Sequence, residues 1–403
     1  REIRMRADDS VLMLRGNRPY MVRRSRGYAP LPVTCPVRVK KPLLAVGGEL
    51  KNAFCLVTED QYYLSPHIGD LGDPRAVETL GGTIDRMSKL LGLKPEAVAC
   101  DLHPGYRSVE YARQTGLPLV PVQHHFAHVV SCMAENGIQD GESVIGAAFD
   151  GTGYGTDGTI WGGEFLKASY SEFERMGSIR PFALAGGDRA AREGYRPAVS
   201  LLLQAYNGDA EKVGRIVSRL SLCEEPQLSA QIGMIRNRFN SVMTTSVGRL
   251  FDAVAAILGV KRFSTFEGEA ASALEYASAE SADGFRFRPV VEQEKLFVLQ
   301  TGDVIQYITE SILEEKSPAL LARQFHEAAA AMVAAGCVEC RNRTGINTVA
   351  LSGGVFQNLL LLRLCENMLG EQGFRVLTHS MVPANDGGIA LGQAVAAAAG
   401  FGR

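Results

Sequence analysis

A chain of 403 residues, 46% hydrophobic and 21% charged, has enough apolar mass for two or more core-forming lobes, which excludes disordered and fibrous classes. The formal net charge of −2 conceals an asymmetry: residues 1–41 carry 11 Lys and Arg against 3 Asp and Glu, leaving 31 against 41 in the rest. An acidic body argues against a large nucleic-acid footprint, because phosphate binding needs clustered cations. No apolar run reaches the roughly 18–20 residues of a membrane span, and Arg1-Glu2-Ile3-Arg4 opens without the apolar stretch of a secretion signal. A cytoplasmic protein is therefore expected. Its 8 cysteines are scattered, so free buried thiols are expected. The single CxxC, Cys337-Val-Glu-Cys340, has a helix-like context and reads as structural.

Taken in chain order, the basic stretch Arg15–Arg26 reads as a solvated face or the rim of an anion site. Pro30, Pro32 and Pro36 then disfavour helix and predict an extended linker. The residues before this boundary are too few to bury a core alone, so residues 1–36 are expected to be the tail of another domain in a longer protein. From Leu43 to Leu64 the pattern is strand, Gly47-Gly48 turn, strand. Pro74–Leu91 places Val77, Leu80, Ile84, Met87 and Leu91 at helical spacing, and Gly92 stops it. Val122–Asn136 also reads as helix. Ser143–Leu166 repeats the earlier plan, strand, glycine-rich turn and strand, which points to a duplicated fold. Helical periodicity follows over Asp188–Tyr206, Thr245–Leu258, Glu267–Ala279 and Leu320–Cys337, then a strand over Thr348–Leu351 and a helix over Ile389–Ala399. The class is α/β with large helical insertions.

The chemistry begins with His124-His125-Phe126-Ala127-His128. On a helix His124 and His128 share one face, and two imidazoles so placed can reach one divalent ion at about 2.0–2.1 Å. A zinc protease would need a glutamate beside the first histidine as general base, and His125 stands there instead. Two histidines leave the shell open for carboxylates, with Asp150 and Asp386 as candidates, although each taken alone is as well explained as a cap or turn former. Three glycine turns, Gly151–Gly158, Gly186-Gly187-Asp188 and Gly353-Gly354, offer backbone amides to an anion and point to a nucleotide between two lobes. No GxxxxGK[ST] is present, so this is not a P-loop protein. His103 reads as a turn former, His326 as a helix-surface or hydrogen-bonded core residue, and Trp161 as buried against the glycine loop.

Several segments together resemble the C-terminal part of the hydrogenase maturation carbamoyltransferase family HypF. They are Asp101-Leu-His-Pro104, the histidine run, Phe149-Asp-Gly-Thr-Gly-Tyr-Gly155, Gly186-Gly-Asp188, Gly248-Arg-Leu-Phe-Asp252, Glu267-Gly268, Ser352-Gly-Gly-Val-Phe-Gln-Asn358 and Asn385-Asp-Gly-Gly388. Arg6-Ala-Asp-Asp-Ser-Val11 and Arg23–Pro30 resemble the end of that family's YrdC-like domain. The resemblance implies a two-lobed fold of the actin, hexokinase and heat-shock ATPase kind over residues 37–403. It implies metal ligation by His124, His128, Asp150 and Asp386, and nucleotide contacts at Gly151, Thr152, Gly153, Asp188, Gly353, Gly354 and Asn358. It further implies an ATP-dependent transferase that moves a carbamoyl group from carbamoyl adenylate, made from carbamoyl phosphate and ATP, to the C-terminal cysteine of the partner HypE. The metal would be zinc or iron, with magnesium a further candidate beside the nucleotide. The base for the thiol stays open among His125, His103 and the metal environment. A departure from the family pattern is Arg192-Glu-Gly-Tyr-Arg196, where Pro-Trp is common. Transfer of threonylcarbamoyl to tRNA, and an ATP-gated binding module of the same fold, remain alternatives.

Overall fold

The structure is a computed structural model that describes residues 6–282 and 284–401. Runs such as Ala97–Asp101 and Val144–Asp150 are apolar without alternation and buried at every residue, as strands covered on both faces must be. They form the centres of two sheets with the same plan. In the first, Pro32–Ala45 pairs antiparallel with Cys55–Leu64 and parallel with Ala97–Asp101, which pairs parallel with Leu119–Val122. In the second, Val144–Tyr154 pairs antiparallel with Ile160–Ala168 and parallel with Thr348–Ser352, which pairs parallel with Arg375–Leu377. Further strands widen the second sheet to nine. The duplicated strand-turn-strand plan legible at residues 43–64 and 143–166 is thus the start of two complete copies of one α/β unit.

Three helices follow the same rhythm in each unit. Pro74–Leu91, Arg107–Gln114 and His124–Glu135 serve the first; Pro318–Thr344, Leu359–Glu371 and Ile389–Phe401 serve the second. The first of these has the boundaries its sequence predicts: Asp73 accepts the Arg75 amide as N-cap, Pro74 opens the helix, and Gly92 closes it at φ 68°. The last helix of each unit packs on the other unit's sheet. His124–Glu135 lies on Val144–Tyr154, Ile160–Ala168 and Thr348–Ser352, while Ile389–Phe401 lies on Pro32–Ala45 and its neighbours. These two helices also cross each other. Gly392 makes that crossing possible, because a Cβ there would sit 1.8 Å from the carbonyl oxygen of Ala127.

The long stretch between Ala168 and Pro318 is mostly helical, as expected, but with different boundaries. Gly187–Ala191 is a short 3-10 turn and the helix begins only at Tyr195. Ala210–Leu220, Glu225–Asn237 and Gly302–Leu313 are helices that no sequence assignment named. Among the described residues no helix is long and apolar enough to cross a membrane.

The proline-rich boundary needs correction. Residues Pro32–Pro36 are extended, as their prolines require, yet they begin the first strand of the sheet, with Pro32 opposite Tyr63. Ala97–Asp101 pairs only with Leu43–Ala45 of that strand, so the prolines sit where one edge needs no donors. The preceding hairpin, Val11–Arg15 with Arg18–Arg23, docks on the second unit. Tyr20 is buried there and donates its hydroxyl to the carbonyl of Phe356 at 2.8 Å, and the Met21 amide donates to the carbonyl of Ser380 at 3.1 Å. The basic stretch is accordingly only partly a solvated face: Arg15 pairs with Glu366 at 2.7 Å, and Arg24 is buried against backbone carbonyls.

Candidate metal centre and adjoining cavity

The two units bring four side chains to one point. His124 opens its helix, whose N-cap Gln123 accepts the Phe126 amide at 2.8 Å, and His128 follows one turn later on the same face. Asp150 stands in the strand Val144–Tyr154, and one of its oxygens, Oδ1, accepts the Gly354 amide at 2.9 Å. Asp386 begins the short turn before the final helix, held by Asn385 Oδ1, which accepts the Gly387 amide at 2.9 Å.

The facing atoms are spaced as ligands of a single ion. Asp150 Oδ2 is 3.3 Å from His124 Nε2 and 3.6 Å from His128 Nε2, and Asp386 Oδ1 is 3.8 and 3.7 Å from the same nitrogens. Ligands at about 2.1 Å around a tetrahedral ion stand about 3.4 Å apart, so these edges fit one central cation. His128 Nε2 is buried and has no hydrogen-bond partner, the state of a lone pair reserved for a metal. His124 is oriented by Asp101, whose Oδ2 lies 2.8 Å from His124 Nδ1 and fixes the tautomer that leaves Nε2 free for the centre. Asp101 is held in turn by the His103 amide at 3.0 Å.

Burial opposes charge on His124, but Asp101, Asp150 and Asp386 outweigh it and hold the imidazole well above its ordinary range. Burial alone would raise Asp150, and a hydrogen bond from His124, with the charge of both histidines nearby, instead holds it well below the carboxylate range. Asp386 lacks such bonds; burial, with Asp150 and Glu267 nearby, pushes it up to about 7. His128 is lowered, chiefly by burial. A divalent ion would relieve the strain of crowding these carboxylates together.

An open cavity adjoins the cluster, and Asp150 and Asp386 belong to both. Of the residues expected to contact a nucleotide, Gly151, Gly354 and Asn358 line it. Asn358 also caps the helix Leu359–Glu371 through the Leu361 amide and lies 2.8 Å from His326 Nε2. Thr152, Gly153 and Gly353 do not line it. Gly153 backs onto the histidines, since a Cβ there would meet His125 Cε1 at 2.3 Å, and Gly353 needs φ 104° beneath the carbonyl of Phe149. Asp188 is exposed in its turn and outside the cavity, so the structure gives no support to its nucleotide role.

Two of the three candidate thiol bases lie off the cavity wall. His125 is fully buried, beside Trp161 at 6.1 Å between ring centroids, and His103 stacks on Tyr106 at 4.2 Å while accepting the Gly105 amide. Neither lines the cavity. Of the two readings of His326 the structure shows the core one, with Nδ1 2.7 Å from the Ala322 carbonyl and burial pushing it down to about 4. Trp161 is buried and donates to Asp157 at 3.0 Å. The eight cysteines are free. Sequence reasoning missed Lys51, Arg249, Asp252, Glu267 and Glu275, which line the cavity. For three of these a signal existed: Arg249, Asp252 and Glu267 stand in segments that carry the family resemblance, and the first two are the only charged residues in the otherwise apolar helix Val247–Ile257.

Fold and site together define a two-unit α/β protein in which two histidines and two aspartates that could hold one cation open into a cavity. Comparison with known proteins supplies the family. Residues 38–135 match the HypF Kae1-like domain, and residues 146–393 match the second subdomain of the carbamoyltransferase Kae1-like domain. The chain belongs to the HypF carbamoyltransferase family. It is 36% identical over 405 residues to carbamoyltransferase HypF of Synechocystis sp., covering 96% of this chain and 51% of that protein. A carbamoyltransferase HypF homolog of Cupriavidus necator is 36% identical, with 89% of this chain and 91% of that protein covered. Full-length HypF in a phosphate- and nucleotide-bound crystal form superposes with a TM-score of 0.91 at 38% identity, over 98% of this chain and 61% of that one. HypF of T. kodakarensis gives 0.89 at 33%, over 98% and 52%. The chain thus spans about half the length of most of the curated relatives it matches.

Proposed function

We propose that this chain performs the transfer half of a carbamoyltransferase reaction, moving the carbamoyl group of carbamoyl adenylate to a thiol, the C-terminal cysteine of HypE. The adenylate would come from carbamoyl phosphate and ATP on a YrdC-like domain. One observation carries the reading: Asp150 belongs at once to a four-ligand cluster and to the wall of the adjoining cavity, so a nucleotide bound there presents its anhydride end to the ion.

His124, His128, Asp150 and Asp386 would hold zinc or iron, and such an ion is a Lewis acid for the carbonyl or phosphate oxygens. The chain's own groups do the rest. Asp101 keeps His124 in the ligating tautomer, the Gly354 amide holds Asp150, and the burial of the histidine helix excludes bulk water from one side of the site. No nucleophile of the chain is required, because the acceptor thiol attacks the carbamoyl carbon directly and AMP leaves.

Metal analysis of the wild type beside His124→Ala and His128→Ala tests the centre, with loss of at least half the bound metal expected in each variant. Unchanged metal content in both would remove the site. Transfer from synthetic carbamoyl adenylate to a thiol peptide, without carbamoyl phosphate turnover, is the expected activity.

A further inference from the structure

Arg249 is the group in the cavity that the proposed chemistry leaves unexplained. It sits in the first turn of Val247–Ile257, a helix buried at every residue, and its own side chain is 8% exposed. A guanidinium stays charged in proteins, so burial demands partners. Arg249 has one charged partner, Asp252, with Nη2 3.0 Å from Oδ2. That contact lacks hydrogen-bond alignment, and Nε and Nη1 of Arg249 have no partner at all among the described residues. Buried donors in this state are costly unless something else supplies acceptors.

Position says what that something is. Arg249 lines the cavity, and Gly151 is so close that a Cβ there would stand 3.7 Å from Nη2. The guanidinium therefore flanks the residue next to Asp150, at the end of the cavity that meets the metal cluster. Asp150, Asp252, Glu267, Glu275 and Asp386 all line this space, against Lys51 and Arg249. Lys51 is already paired with Glu267. An anionic ligand entering among these carboxylates finds one cation with donors to spare. Burial pushes the Asp252 carboxyl up despite the arginine beside it.

We propose that Arg249 is the phosphoryl-binding residue of the cavity, donating from its free guanidinium nitrogens to phosphate oxygens of the bound nucleotide. The assignment rests on the nucleotide reading above. Charge-assisted bonds from a fixed planar cation give both attraction and orientation, so Arg249 would hold the phosphate while the far side of the anhydride faces the ion.

Calorimetric titration with AMP and with adenosine, at one fixed metal content, separates the possibilities. The wild type should bind AMP more tightly than adenosine. Arg249→Gln should weaken AMP by about tenfold or more and leave adenosine within about twofold, the size expected for one charge-assisted contact. Arg249→Lys, which keeps the charge but loses the fork, should fall between. An equal loss for both probes, or no loss for either, overturns the proposal. If Arg249→Gln melts well below the wild type, the AMP-to-adenosine ratio of Arg249→Lys decides, because a folding defect lowers both affinities and leaves the ratio. A wild type that binds neither probe would instead defeat the nucleotide reading itself.

Discussion

Gly392→Ala offers the most direct test of how the site is built, because one methyl group acts on two ligand-bearing helices at once. The new Cβ would lie 1.8 Å from the Ala127 carbonyl oxygen. Side-chain carbons do not approach backbone oxygens closer than 3.0 Å, so the helices must part by about 1.2 Å or more. Overpacking of this kind costs about 1–3 kcal/mol. The effect on the metal centre should be larger. Ala127 lies between His124 and His128, and Gly392 follows Asp386 by under two turns, so the shift separates the histidines from that carboxylate. Metal sites tolerate about 0.2 Å in ligand distance, several times less than the displacement required. We expect a lower urea midpoint and metal lost to a chelator at least tenfold more readily. Gly400→Ala is the control in the same helix: nothing lies within 4 Å of its added Cβ, and alanine should be neutral or stabilising by up to about 1 kcal/mol. If Gly392→Ala keeps wild-type stability and metal affinity, the close crossing does not set the geometry of the centre.

Two further substitutions probe separate layers of support. Asp101→Asn removes the carboxylate that orients His124 without touching the ion, and should weaken metal binding about 10–100-fold in chelator competition while leaving the urea midpoint nearly unchanged. Equal metal affinity would show that the tautomer is fixed by something else. Glu135 ends the histidine helix and accepts from His379 Nδ1 at 3.1 Å, from the Ser380 amide at 2.7 Å, and from the Met381 amide. Burial pushes its carboxyl up, but these donors hold it below the ordinary value of 4.5. A depressed carboxylate stabilises the fold above its ordinary value, and that contribution vanishes as pH falls through the folded value. Glu135→Gln should therefore cost about 1–3 kcal/mol at pH 7 and progressively less as pH falls below about 4. A cost of the same size at both ends of that range would contradict the assignment.

How much of this was legible depended on whether the signal was local. Asp73, Pro74 and Gly92 encode their helix within its own turns, and His124 and His128 share a face at any helical position, so both could be read directly. The duplication showed only in its opening hairpins, because 149 residues of helical insertion and edge strands separate Ile160–Ala168 from Pro318–Thr344 in the second copy. The joining of Asp150 and Asp386 to the histidines came from the resemblance, since no spacing connects residues that distant. Asp188 lies outside the cavity: a glycine turn beside a helix is a common local feature, and its relation to the cavity is set by packing far from it. Pro32–Pro36 misled for a different reason: proline dictates an extended backbone, but only the partner strand decides whether that backbone is a linker or an edge.

The exchange of final helices between the two units is what brings the proposed metal ligands up to the cavity proposed for the nucleotide. His124 and His128 come from the first unit, yet their helix rests on the second unit's sheet; Asp386 comes from the second unit, and its helix rests on the first. Gly48 of the first unit lies close enough that a Cβ there would be 3.3 Å from Asp386 Oδ2, and Lys51 reaches across to Glu267. The four proposed ligand atoms therefore report how the units are set against each other. Asp150 gives one oxygen to that cluster and the other to the Gly354 amide on the cavity wall. A ligand that repositions Gly354 must alter the aim of Asp150, and an ion that fixes Asp150 must preset Gly354. Linkage then requires the two effects on affinity to be equal, so that whatever factor the nucleotide imposes on metal binding, the metal imposes on nucleotide binding.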